Sequence, residues 1–211
     1  VVFATATQPA FDALHGAVGK HAAPGWQPVE LVPDHPALYA ALKRVIVTWP
    51  TPGETRTWEA LAAALEDSHQ VLAVVNLKRH AGQLLARLRN AAGIFHLSTN
   101  LCAAHRRAVL QQVRTRLSAG ASCRLVSTQC VEAGVDLDFP RVFRAFAPLE
   151  AIAQAAGRCN REGRLSQPGE VLVFDPKEAG DWRRRYPSHA YFQAAEVTRR
   201  ILLDRGAIDI N

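Results

Sequence analysis

Short apolar runs alternate along the chain with segments in which apolar residues recur every three to four positions. The apolar runs predict β-strands at 1–4, 29–32, 44–48, 71–75, 94–98, 123–127, 142–146 and 170–174. The segments with the longer period predict helices at 10–18, 57–67, 78–91, 103–118, 150–157 and 189–204. Strands that alternate with helices of ten or more residues are typical of βαβ units and a parallel sheet.

The predicted strands are continuously apolar, as in strands that helices cover on both faces. We therefore expect an α/β fold in which a mostly parallel central sheet lies between two helical layers, with right-handed crossovers. A chain of 211 residues is long enough to bury a full core of this kind.

Long polar side chains are concentrated in residues 154–161, Q-A-A-G-R-C-N-R. If the residues from Ala151 onward are helical, Gln154 and Arg158 share a face and Arg161 lies close to it. The planar, permanently charged guanidinium of arginine matches phosphate oxygens bidentately, and it can stabilise charge that develops on a γ-phosphate. The pattern predicts a phosphate-binding group, although an arginine pair on a helix is also commonly a solvated face.

A second polar segment, residues 127–136, S-T-Q-C-V-E-A-G-V-D, follows the strand predicted at 123–127. It begins at the carboxyl end of a strand, where ligands bind in α/β sheets. Thr128 can offer a hydroxyl and an amide to a phosphate, and Asp136 an acceptor to a ribose hydroxyl or water. Alternatively, Thr128 caps the next turn and Asp136, with Asp138, shapes a loop.

These two segments resemble motifs V and VI of superfamily 2 helicases, in the form found in the CRISPR-associated helicase-nuclease of type I systems. Residues 3–9, F-A-T-A-T-Q-P, are similar to motif III, and residues 71–79, V-L-A-V-V-N-L-K-R, to motif IV. Residues 96–107, H-L-S-T-N-L-C-A-A-H-R-R, resemble the L-S-T segment that follows. Five ordered matches at natural spacing are specific, whereas any one of them is weak.

The resemblance implies a RecA-like three-layer fold and a place for each domain. Residues 26–211 would be the second RecA-like domain of a helicase motor, and residues 1–25 a remnant of the first domain with motif III and the linker. Arg158 and Arg161 would be arginine fingers, and Gln154 a further nucleotide-site or relay group.

The resemblance also implies roles for residues outside the arginine cluster. Gly134, together with Asp136, would line the nucleotide cleft. The nucleic-acid backbone would be contacted by Thr128, Asn76 and Thr99. The last implied pair, Thr5 and Thr7, would couple ATP hydrolysis to movement along the strand.

Several segments that such a motor needs are missing from the sequence. There is no G-x-x-x-x-G-K-[ST] phosphate loop, no D-E-A-D-like acidic run and no adjacent His-Asp pair. The chain also contains no methionine. We therefore expect a piece of a longer protein that alone hydrolyses almost no ATP. The implied cofactor is ATP, with magnesium held by residues outside this chain. The implied partners are single-stranded DNA, the first RecA-like domain, an HD nuclease domain and a CRISPR surveillance complex.

Composition agrees with a nucleic-acid partner. The formal net charge is +6, with basic clusters that favour a polyanion, while the low aromatic content argues against base stacking as the main grip. The four cysteines show no C-x-x-C spacing and predict no metal site. No signal peptide or membrane-length apolar run is present, so we expect no membrane partner and a cytoplasmic location.

Two other functions stay open at this point. One is a superfamily 2 RNA helicase or chromatin-type translocase. The sequence E-A-G-V-D-L-D-F-P at residues 132–140 argues against it. The other is an idle nucleic-acid-binding module that keeps the RecA-like fold without the coupling to ATP.

Overall fold

A computed structural model describes residues 15–21, 34–89, 93–132 and 134–210. The chain divides into two compact units, Val1–Lys43 and Arg44–Asn211. The smaller unit contains two short described helices, α1 (His15–Val18) and α2 (His35–Ala41). The strands predicted at 1–4 and 29–32, most of the helix predicted at 10–18, and the candidate residues Thr5 and Thr7 lie outside the described residues.

The larger unit is built on a six-stranded sheet whose order is β1-β6-β5-β2-β4-β3. All five strand pairs are parallel. The strands are β1 (Val45–Thr48), β2 (Gln70–Val74), β3 (Ile94–Leu97), β4 (Cys123–Ser127), β5 (Arg141–Ala145) and β6 (Gly169–Phe174). Five helices accompany them: α3 (Trp58–Glu66), α4 (Lys78–Leu85), α5 (Ala103–Ser118), α6 (Leu149–Ala156) and α7 (His189–Arg205). The predicted α/β fold with a parallel sheet is confirmed.

The helices cover the sheet on both faces, as the apolar strands predict. In β2, Leu72 and Val74 pack into the cluster that contains residues of α5, α6 and α7. Their neighbours Val71 and Ala73 pack into the cluster formed with α3 and α4. Because successive strand residues point to opposite faces, a fully apolar strand supplies both cores.

The helix predicted at 78–91 is too long, since α4 ends at Leu85 and the described residues 86–89 that follow are not helical. Beyond that point, Arg87 donates through Nε to the Glu59 carboxylate at 2.6 Å, and the Arg89 N–H donates to the Glu66 carboxylate at 2.5 Å. Both acceptors lie on α3. These bonds draw the chain towards α3 instead of along the helix axis, which periodicity cannot show.

The predicted arginine helix also ends earlier than its motif. α6 stops at Ala156, so Arg158 is not helical, and the expectation that it shares a helical face with Gln154 is wrong. The chain instead enters an extended bridge, in which Phe139 N–H donates to Arg158 O and Asn160 N–H donates to Phe139 O, both at 2.9 Å. The helix ends here because the backbone of residues 158–160 is paired with Phe139, in the loop before β5.

The strand order places a topological switch at β2, because β4 and β5 lie on either side of it. Ligands in open α/β sheets bind at the carboxyl edge beside such a switch. Within the described part of the chain, no helix is both long and apolar enough to cross a membrane.

Leu72→Ala should lower the free energy of unfolding by about 2–5 kcal/mol, because Leu72 is fully buried in the central strand β2. Urea denaturation of the wild-type and variant proteins measures this change. The matched control is Leu203→Ala on the exposed side of α7, which should stay within about 0.5 kcal/mol of wild type. Equal losses in both variants would contradict the assigned core.

Candidate functional site

The loop between β4 and β5 runs from the carboxyl ends of the strands to their amino ends. It leaves the carboxyl end of β4 through a 3₁₀ turn, Gln129–Val131, and returns to the amino end of β5. Gly134 lies in it at φ +68, a left-handed conformation that glycine adopts without steric cost. Leu137 and Phe139 anchor the returning half in the core. This one loop therefore contributes residues at both the carboxyl and the amino ends of the strands.

Arg158 is buried against this loop, with only 8% of its surface exposed. Its Nε donates to Val131 O at 3.2 Å and its Nη2 to Glu132 O at 2.5 Å. Burial lowers the pKa of Arg158 and the nearby charge of Arg161 lowers it further, while Asp136 and Glu132 oppose both effects. Arginine nevertheless stays charged in proteins. Arg158 thus fastens the segment after α6 to the loop after β4.

Arg161 is the accessible member of the arginine pair. Its side chain is 45% exposed, and its Nε lies 3.1 Å from the carboxylate of Asp136, which is itself 73% exposed. A pair this exposed to solvent is weak and exchangeable. The backbone beneath is fixed, because Asp138 accepts the N–H groups of Arg161 and Glu162, and Arg44 donates to Arg161 O. A rigid backbone therefore presents a guanidinium that is free to change partner.

Gln154 is half-buried on α6, three residues before the chain leaves the helix end at Gly157. Among the described contacts, neither Arg158 nor Arg161 is bonded to it. The structure thus brings together Arg158, Arg161 and Asp136, and leaves Gln154 apart from their contacts.

The three candidate nucleic-acid residues follow β2, β3 and β4 at the carboxyl edge. Thr99 is exposed in the turn after β3. Thr128 is buried, and its N–H donates to Leu97 O at 3.2 Å while its hydroxyl points to the Cys130 sulfur at 3.6 Å. Its side chain makes no capping bond to the turn it precedes. Only Thr99 presents a free surface among the three.

Asn76 is buried directly after β2, and both the nitrogen and the oxygen of its side-chain amide are hydrogen-bonded. Its Nδ2 donates to Phe146 O at 2.8 Å, and its Oδ1 accepts from Arg144 Nη1 at 2.7 Å. Gln129 Nε2 donates to the backbone carbonyl of Asn76 at 3.0 Å. Asn76 therefore joins the ends of β2 and β5 and the turn after β4.

Arg144, which the sequence analysis did not single out, is fully buried in β5. Besides Asn76, it bonds Ala145 O at 2.9 Å and the Tyr191 hydroxyl at 2.8 Å, and it lies 3.0 Å from the Glu132 carboxylate. Burial raises the pKa of Glu132, and the charge of Arg144 opposes that rise. The sequence did contain a signal for Arg144: a charged residue within a strand that is predicted to be buried on both faces must have buried partners.

Exposed basic side chains form a rim around the carboxyl ends of the strands. Two bonds hold the segment after β6 against α4: Arg79 Nη2 donates to Arg183 O at 3.0 Å, and His80 Nε2 to Arg184 O at 2.9 Å. Exposed basic residues of this rim, from α4, α5 and the segment after β6, are Lys78, Arg79, Arg107, Arg183 and Arg184. Within the described ranges, no cluster of three or more His, Cys, Asp or Glu could hold a metal ion.

Comparison with known proteins points to one family. Residues 67–164 match the family model of the CRISPR-associated nuclease/helicase Cas3, C-terminal. The CRISPR-associated nuclease/helicase Cas3 of Haloferax volcanii is 48% identical over 75 residues, which are 33% of this chain and 8% of that protein. This match therefore spans a small part of the relative.

Solved structures give the same fold. A crystal structure of T. fusca Cas3 with AMPPNP superposes with a TM-score of 0.60 at 17% identity, over 88% of this chain and 23% of that one. A chain of a CRISPR RNA-guided surveillance complex, pre-nicking, gives 0.53 at 19% identity, over 80% and 23%. These comparisons confirm the resemblance to the CRISPR-associated helicase-nuclease and limit it to the C-terminal helicase region of that family.

Acidification should destabilise the fold through His80, the buried imidazole that bonds the segment after β6. Burial lowers its pKa from 6.5 to about 4, although the bond to Arg184 and the charge of Glu178 oppose the shift. The unfolded chain therefore binds more protons between these values, so stability is lost as the pH falls from 6.5 towards 4. Over that window, the wild type should lose up to about 1.4 kcal/mol of unfolding free energy per pH unit more than His80→Gln.

Denaturant titrations at several pH values measure the difference in slope. The control is His105→Gln on the exposed surface of α5. A His80→Gln variant with the wild-type slope would show that this imidazole is not held neutral.

Proposed function

We propose that this chain is the second motor domain of an ATP-dependent superfamily 2 DNA helicase or translocase of CRISPR antiviral defence, acting in the cytoplasm. It would supply motifs IV to VI to an ATP site completed by a first RecA-like domain. The single observation that carries the proposal is Arg161, an accessible guanidinium on a backbone fixed by Asp138 and Arg44.

The nucleotide side of the proposal follows from the two arginines. Arg161 exchanges the exposed carboxylate of Asp136 for the γ-phosphate of ATP when the first domain closes. Arg158 keeps its carbonyl partners and fixes the segment that carries Arg161. Gly134 allows the cleft loop to turn, and Gln154 approaches the nucleotide only through the closed interface. Magnesium would be held by the first domain.

The nucleic-acid side lies at the carboxyl edge of the sheet. A positive rim binds a DNA backbone without reading its sequence, which suits a motor that moves along a strand. Thr99 contacts the backbone directly, since it is exposed. Thr128 and Asn76 are buried and act by fixing the turns that meet the strand.

The remaining partners are proposed from the family. T. fusca Cas3, whose fold this chain shares, has been crystallised with AMPPNP, and a chain of similar fold occurs in a surveillance complex. We infer that an HD nuclease domain and such a complex act with the whole protein, with Thr5 and Thr7 coupling hydrolysis to strand movement.

Arg161→Ala in the full-length protein that contains this chain should lower DNA-stimulated ATP turnover by about 10²-fold or more, because the developing phosphate charge loses its counter-charge. Nucleotide binding should be largely retained. Steady-state turnover and nucleotide titration measure the two effects.

The matched control is Arg164→Ala, since Arg164 is an exposed arginine three residues away whose partner is Glu162. It should turn over ATP as the wild type does. Near-normal turnover of Arg161→Ala would contradict the finger role, whereas a wild-type protein without ATP turnover would favour an idle binding module.

The isolated chain should show almost no ATP hydrolysis with or without single-stranded DNA, because it carries one side of the site only. It should still bind an oligonucleotide, with affinity that falls as salt rises. Robust hydrolysis by the purified chain would contradict a shared site.

A further inference from the structure

The one charged side chain of β5 that lies fully inside the layer packed by α5, α6 and α7 is Arg144. A buried charge is costly unless it is paired and hydrogen-bonded. Here the two terminal nitrogens reach partners from three separate segments: Asn76 after β2, Glu132 after β4 and Tyr191 on α7. The fork geometry of arginine makes this bridging possible, whereas one ammonium group would not reach all three.

One end of the bridge is the carboxyl edge. The side-chain amide of Asn76 donates to the backbone carbonyl of Phe146, and the backbone carbonyl of Asn76 accepts from Gln129. A displacement of the turn after β4 by a bound strand would therefore act on Asn76, and through its Oδ1 on Arg144.

The other end of the bridge is the arginine segment. Glu132 pairs with Arg144 through its side chain and accepts Arg158 on its backbone carbonyl. Arg158 is three residues before Arg161, whose backbone is fixed by Asp138. Glu132 thus stands between the buried bridge and the proposed finger.

We propose that Arg144 is the positioning residue that couples the nucleic-acid edge to Arg161, by linking Asn76, through a hydrogen bond, to Glu132, through a buried ion pair. This inference rests on the proposed function. Because losing any one of these contacts leaves a polar or charged group unpaired in the interior, a displacement of one partner of Arg144 acts on the others.

A second buried arginine provides the matched control. Arg124 lies on β4 and points to the opposite helical layer, where it donates to Leu65 O, Glu66 O and the Ser122 hydroxyl. It has comparable burial and bonding but no contact with either candidate site. Arg124→Met should loosen the fold without affecting communication between the sites.

The test compares variants of the full-length protein by the ratio of ATP turnover with and without a single-stranded oligothymidylate. The main variant is the double substitution Arg144→Met with Glu132→Gln, which removes both charges at similar volume. Removing both members of the pair leaves no uncompensated charge in the interior. Because Asn76 and Tyr191 each lose a hydrogen bond from Arg144, we expect a folded protein with a lowered unfolding midpoint. Oligonucleotide affinity should be nearly unchanged, and the stimulation ratio should fall about tenfold or more, within the usual range of coupling between sites.

Arg144→Lys keeps a charge opposite Glu132 and tests the bridge should the double variant not fold. It should also lower the ratio, because the ammonium cannot hold Asn76, Glu132 and Tyr191 together. A wild-type ratio in a folded variant of Arg144 would overturn the inference, as would an equal loss in Arg124→Met, since general loosening would then explain it.

The wild-type measurement separates the two proposals. If the wild-type protein shows no DNA-stimulated turnover, the proposed function fails and the coupling role fails with it. If the wild type is stimulated and the Arg144 variants are stimulated equally, only the coupling role fails.

Discussion

Burial of a parallel sheet on both faces is the constraint from which the rest of this structure follows. Each central strand gives alternate side chains to two apolar layers, as Leu72 and Ala73 show in β2. Polar groups are consequently driven to the strand ends and to the loops that join them. The two candidate sites lie in such places, and the loop after β4 belongs to both.

The fold was largely predictable because its signal is local. The helix at 103–118 and the strand at 123–127 have the predicted bounds, because the first shows apolar residues at helical spacing and the second is a short apolar run. The α/β class followed from that alternation. The errors arose where a distant backbone partner decided the conformation: Phe139 draws the chain out of α6, and Glu59 and Glu66 end the run after α4.

The sequence names candidate site residues, but it does not show how they are arranged. Arg158 and Arg161 look equivalent in the motif, yet one is buried on carbonyl groups and the other is exposed beside Asp136. Their difference depends on which residues cover them, and spacing carries no such information. Arg144 and Tyr191 are more than forty residues apart, so their contact is visible only in three dimensions.

The loop between β4 and β5 is irregular in secondary structure, but its two ends and Glu132 are fixed by hydrogen bonds. Thr128 N–H is bonded to Leu97 O at one end, Phe139 pairs with Arg158 at the other, and Glu132 is held in between. Surface loops usually tolerate inserted residues because only chain entropy opposes them. Between Thr128 and Glu132, however, an insertion would move a carbonyl that Arg158 must reach, so the length of that segment is as restricted as that of a core strand.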